Sequence, residues 1–153
     1  MSYTARLSEQ TYPLSGGYVA ALAPGISNGA WVSLQNYHRA WLIVAVGTMG
    51  AGATFDCALQ QAQDATGTGA KAIAGKTLGT FKAITQLTQA GGDAFSVCCI
   101  ELQTEELDVT NGFEHVRFQI TVGGAAVDTA ATLFGCIARF KPVPTTAWTE
   151  IVD

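Results

Sequence analysis

Residues 116–122 read Val-Arg-Phe-Gln-Ile-Thr-Val, apolar at every second position, and the run closes on Gly123 and Gly124. That period is the signature of a half-buried antiparallel strand. Related runs lie at 31–36, 53–61, 82–88, 95–102 and 133–140. In 53–61, Phe55, Cys57 and Leu59 share one face, and Thr54, Asp56 and Gln60 the other. The run at 41–46 is apolar on both faces, which predicts a strand central in the fold. Gly47 to Gly52 and Asn111-Gly112 supply turn chemistry between runs. The segment from Thr104 to Asp108 is too short and too acidic for more than a helical turn or loop. Seven or eight strands at this spacing predict an all-β chain, a single β-sandwich or jelly-roll-like domain.

The two ends depart from this pattern. Residues 1–30 are rich in Gly, Ser, Ala and Tyr, contain Pro13 and Pro24, and keep no sustained period. They read as an extended N-terminal arm. Its apolar members, Tyr12, Leu14, Tyr18, Val19 and Leu22, are too many for a free tail, so the arm is expected to lie on its own domain or on a neighbour. Residues 142–153 hold Pro142 and Pro144, which forbid a central strand, and read as a C-terminal tail. Trp148 is costly to leave in water; packing on its own sheet and anchoring in another subunit are equally open for it. The expected organisation is therefore an arm at 1–30, a core at 31–141 and a tail at 142–153. Tyr12, Tyr18 and Trp148 are the candidate partner contacts.

Composition adds a partner. Of 153 residues, 48% are apolar and 13% charged, against about a quarter charged in an average soluble domain. Self-assembly or a protein partner covering some apolar surface is implied. The net charge of −4 is uneven: residues 101–153 hold eight acids and three bases, residues 1–100 four acids and five bases. Such a surface does not track a phosphate backbone, so no direct nucleic-acid ligand is expected. The N-terminus lacks a targeting pattern, and the longest apolar run, 40–47, has the length of a strand. We expect a protein without a membrane segment, made and kept in the cytoplasm or assembled there into something larger.

Candidate chemistry is sparse. Gly69 to Thr77 resembles a phosphate-binding G-x-x-x-x-G-K-[ST] loop, but Ala70 stands where the first glycine belongs and the preceding segment is polar. No cofactor is expected. His38 and His115 lack any nucleophile arrangement around them. Glu101, Glu105, Glu106 and Asp108 do not follow a calcium-loop order and read as a solvated acidic loop. Cys57, Cys98, Cys99 and Cys136 show no CxxC spacing, and neighbours on a strand point to opposite faces, so no metal is expected. The chain reads as a module that binds or builds, with no catalytic residues.

Particular residues carry a family resemblance. Trp31 to Tyr37, Gly52 to Asp56, Gln63 to Lys71, Ile84 to Thr88 and Glu106 to Val109 resemble a family of small proteins encoded in the head regions of tailed bacteriophages. The stretch Gly79 to Lys82 looks like an insertion relative to that pattern. The resemblance implies a capsid cement or decoration protein, non-enzymatic, that binds the outside of the major capsid protein shell and stabilises it. It also implies a homo-oligomer, a trimer by analogy with cement proteins at threefold positions, on the virion exterior and assembled in the host cytoplasm. Alternatives are another head-tail component, such as a neck, tail-terminator or tail-tube protein, or a carbohydrate-binding module, which exposed aromatics such as Trp31 or Tyr37 lining a cleft would favour.

Overall fold

A computed structural model describes residues 8, 10–75, 80–139, 148 and 150. They form ten strands: β1 (Thr11–Leu22), β2 (Gly25–Asn28), β3 (Val32–Ser33), β4 (Tyr37–Met49), β5 (Thr54–Ala62), β6 (Lys71–Ala72), β7 (Leu87–Thr88), β8 (Val97–Gln103), β9 (His115–Gly123) and β10 (Val127–Ala138). A four-stranded sheet runs β1-β10-β4-β8. The second sheet runs β2-β9-β5-β6, with β3 also on β9 and β7 also on β5. Every pairing is antiparallel. The chain crosses between sheets at six of the nine connections between these strands, so most strands adjacent in a sheet are distant in sequence. That is the two-sheet jelly-roll arrangement.

The alternation seen in the sequence places the core. Leu42, Val44 and Val46 of β4, Phe55, Cys57 and Leu59 of β5, Val116, Phe118 and Ile120 of β9, and Ala131 and Leu133 of β10 meet between the sheets. Burying such side chains contributes roughly 1.5–3 kcal/mol each. Two 3-10 turns, Thr104–Glu106 and Val109–Asn111, connect β8 to β9, as expected of that acidic segment.

Three strand expectations change. Residues 31–36 supply only the two-residue β3, and 82–88 only the two-residue β7 with one isolated bridge, Ala58 to Ala83. The closing strand begins at Val127, well before 133. Its first half turns Val127, Thr129 and Ala131 inward while Ala130 faces out, so a threonine occupies an apolar slot and an alanine a polar one. The buried Thr129 hydroxyl donates to the Ala45 carbonyl, 3.1 Å away, which satisfies it.

The largest correction concerns the arm. Residues expected outside the sandwich supply two of its strands: β1 pairs with β10 from Thr11 to Leu22, and β2 pairs with β9. Register shifts between Pro13 and Ser15 and between Val19 and Leu22 break the period in β1, which hides the strand from any test for alternation. Of the tail, only Trp148 and Glu150 fall within the described residues.

Candidate functional site: the outward face of the four-stranded sheet

In a two-layer sandwich each sheet has one face on the core and one outward, and the outward face is normally polar. The second sheet mostly obeys this, with Ile26 of β2, exposed beside Thr121, as an apolar exception. Its outward residues include Asp56 and Gln60 of β5, Arg117, Gln119 and Thr121 of β9, and Asn28 of β2, in cross-strand register. They are linked in a ladder: Gln119 donates to Asn28 (2.9 Å), Gln60 to Gln119 (3.3 Å) and Arg117 to Gln60 (2.9 Å). Nearby, Gln86 donates to Asp56 (2.7 Å).

The four-stranded sheet does not. Register across its strands defines outward rows. One row is Tyr18, Ala130, Ala45 and Val97; the next is Gly16, Thr132, Ile43 and Cys99; the third is Pro13, Phe134, Trp41 and Glu101. Glu101 is the one charged side chain in these three rows. The fourth row, Thr11, Cys136, Arg39 and Gln103, turns polar at the rim. The double-sided apolar character of 41–46 thus arises because β4 shows Leu42, Val44 and Val46 to the core and Trp41, Ile43 and Ala45 to the outside.

The face has relief. At one end Tyr18 and Phe95 stand 68% and 79% exposed, and between them lies a groove of about 310 Å³ lined by Ala45, Gly47 and Ala130, with Asp128, which accepts from the Ala21 amide, at its wall. Phe95 holds φ at 60°, a left-handed conformation that costs a bulky L residue roughly 1–2 kcal/mol. Its amide donates to the Gly47 carbonyl (3.1 Å), which fixes the turn that presents the ring. Val97, next to it, is 71% exposed. At the other end Trp41, Phe134 and Trp148 form an aromatic stack, with centroids 5.7 Å and 6.3 Å apart. Trp148 therefore packs on its own sheet.

The candidate contacts are not brought together. Tyr18 lies at the groove, whereas Tyr12 sits near the far end of β1, packed with Leu14 against Tyr37 and Ala138. Trp148 lies over Phe134, opposite Pro13 of β1. Phe95, Val97 and Ile43 were not singled out from the sequence. The signal for them was the 41–46 run itself, apolar on both faces in a fold with only two layers.

The other chemistry resolves into local structure. Glu106 pairs with Lys82 (2.8 Å) and accepts the Gln103 amide. Asp108 pairs with Lys71 and accepts from Asn111. The Lys71 bond, with that of Asn111, holds the Asp108 carboxyl below its ordinary range. Asp64 accepts from the hydroxyls and amides of both Thr66 and Thr68, which drives its pKa well down. Much of the Gln63 to Lys71 pattern therefore encodes a loop held by one carboxylate. Of the phosphate-loop lookalike, Lys71–Ala72 is strand β6 and Ile73 is buried, while Lys76 and Thr77 lie outside the described residues. His38 and His115 belong to different sheets. Among the described residues no cluster of three or more His, Cys, Asp or Glu is placed to hold a metal. The four cysteines are free. Burial first, with Cys98 and Asp56 nearby, raises Cys57 to about 12, and burial raises Cys136 to about 11. Tyr37 is in the core, and Trp31 is stacked under the Arg117 guanidinium at 4.5 Å.

No protein-family model matches the chain, and no curated protein matches it. Among solved structures it is similar to one of Desmodium yellow mottle tymovirus, at 10% identity over 85% of this chain and 87% of that one, with a TM-score of 0.41. A Yersinia pseudotuberculosis-derived mitogen aligns at 9% identity over 86% of each chain, with a TM-score of 0.35. An infectious bursal disease virus structure aligns at 10% identity over 85% of this chain and 41% of that one, with a TM-score of 0.26. Likeness at this level carries no argument about function, and the fold rests on the strand order above.

Proposed function

We propose that the chain is a structural virion component, a capsid cement or decoration protein that binds the outside of a major capsid protein shell through the outward face of its four-stranded sheet. The observation that carries the reading is the inversion of polarity between the two outward faces. One sheet ends in a hydrogen-bonded polar ladder; the other offers two rows of mostly apolar side chains, beside a third that Trp148 covers, with Phe95 held in a costly backbone conformation at their edge. Exposed apolar area of that kind marks a protein interaction surface. Jelly rolls serve viral capsids, lectins and cupins alike, so the fold by itself does not choose. The resemblance of Trp31 to Tyr37 and the other quoted segments to phage head proteins supplies the choice of partner.

The mechanism is mechanical. Copies that bury this face across the joints between shell subunits tie those subunits together, and binding to the assembled shell alone stabilises it by mass action. No step calls for a catalytic group, a cofactor, nucleic acid or a membrane. Self-association belongs to the same reading. The reading is tested by mixing the purified protein with expanded shells of a tailed-bacteriophage major capsid protein. Saturable co-sedimentation and a raised shell melting temperature are expected. Absence of binding, or closed rings of the isolated protein by negative-stain microscopy, would assign it instead to the neck or tail.

A further inference from the structure

Sheet edges are where strands recruit other strands, and three of the four edge regions here are blunted. On the second sheet, β2 and β3 cover one side with four and two residues, and β6 and β7 cover the other with two each. On the first sheet, the β8 edge is capped by Lys82, whose ammonium donates to the Glu101 carbonyl at 2.9 Å. Strand β1 differs among the described residues: Pro13 and two register shifts blunt its ends, but the stretch between them, Ser15–Val19, carries no charge and no break. Natural edges of that length normally carry a charge to prevent pairing.

We propose that β1 is a self-recognition edge, pairing antiparallel with β1 of a second copy about a twofold axis at Gly17. The two register shifts leave Ser15–Val19 as the stretch in unbroken register with β10, and Gly17 is its centre. Pairing about that centre sets Tyr18 opposite Gly16 of the second copy, on the outward face of both. Gly16 is bare for an internal reason: a Cβ there would lie 2.6 Å from the Ala131 carbonyl oxygen. An aromatic ring laid across a strand glycine covers that exposed backbone, and Tyr18 has its ring free to do so. At Gly17 a Cβ would meet nothing within 4 Å, so a cysteine side chain fits at the axis. The absence of charge along β1 favours an identical strand over a charged partner, since like meets like without repulsion. Pairing also joins two apolar outward faces into one surface. The contact is twofold, in place of the threefold arrangement that the family resemblance implies, and it stands whether or not the protein binds a shell.

Sedimentation velocity across the micromolar range, where a small interface dissociates, tests the contact on the full chain. The parent is expected to show a monomer–dimer equilibrium, and Tyr18→Lys to weaken it by about tenfold or more with an unchanged thermal midpoint. Gly17→Cys should give a covalent dimer under mild oxidation, because Cα atoms of directly opposed antiparallel residues, about 4.5–5.5 Å apart, lie within disulfide reach. Val19→Cys should not, its two copies being offset along the strands. Monomer throughout, a trimer, cross-linking at Val19→Cys in preference to Gly17→Cys, or undiminished association of Tyr18→Lys would each overturn the proposal.

Discussion

Cys57 illustrates how a single side chain reports on the interior. Burial favours the neutral thiol and raises its pKa to about 12, whereas in the unfolded chain it ionises near 8.5. Between those values the unfolded state binds fewer protons than the native state, so stability falls as pH rises. The protein is therefore expected to keep its thermal midpoint to about pH 8 and to lose it progressively above about pH 9, with a smaller loss in Cys57→Ala. A midpoint with the same alkaline slope in both proteins would remove Cys57 as the cause. Phe55 makes the complementary point about packing. It is fully buried between the sheets, and Phe55→Ala is expected to cost about 3–5 kcal/mol in denaturant unfolding. A loss below about 1 kcal/mol would mean that the site collapses around the cavity.

At the scale of elements, β1 separates the structural account from the sequence reading most sharply. If residues 1–22 were an arm, their removal would leave a folded core. As a strand, β1 covers Leu133 and Ala131 along one edge of β10, and its deletion is expected to lower the midpoint strongly or abolish folding. Circular dichroism and thermal unfolding of the truncated chain decide between the two. The middle of β4, most of β5 and β9 were legible because each turns large apolar residues to one side, a regularity that survives without tertiary context, whereas β4 also takes in 37–40 and 47–49, read as a junction and a turn. β1 was not, because two register shifts break its period and its outward side is itself apolar or glycine. The early half of β10 was missed for a third reason: Thr129 is inward and satisfied by the Ala45 carbonyl, a bond that depends on β4 lying beside it. Tyr18 was visible as an apolar residue without a partner. Phe95 became visible only once the fold set it across a groove from Tyr18.

For the whole molecule the central claim is that the outward face of the four-stranded sheet is an interface. Apolar surplus in the composition implies a partner, and where the sequence reading put the contact on arm and tail, the proposed function puts it on the sheet. Trp148 follows from that shift. Because it stacks on Phe134, Trp148→Ala is expected to lower the thermal midpoint of the isolated protein, and an unchanged midpoint would return Trp148 to the list of partner anchors. The face also carries its own reporter. Cys99 is exposed in the row of Ile43 and Thr132, while Cys57 is sealed in the core. The most direct measurement is the rate at which a maleimide alkylates Cys99 in the free protein and in protein bound to major capsid protein shells, read by mass spectrometry of the modified peptide. Protection of about tenfold or more on binding is expected, as for a residue inside a desolvated interface. A Cys99 that reacts equally fast in the bound protein would place the interface elsewhere and contradict the account.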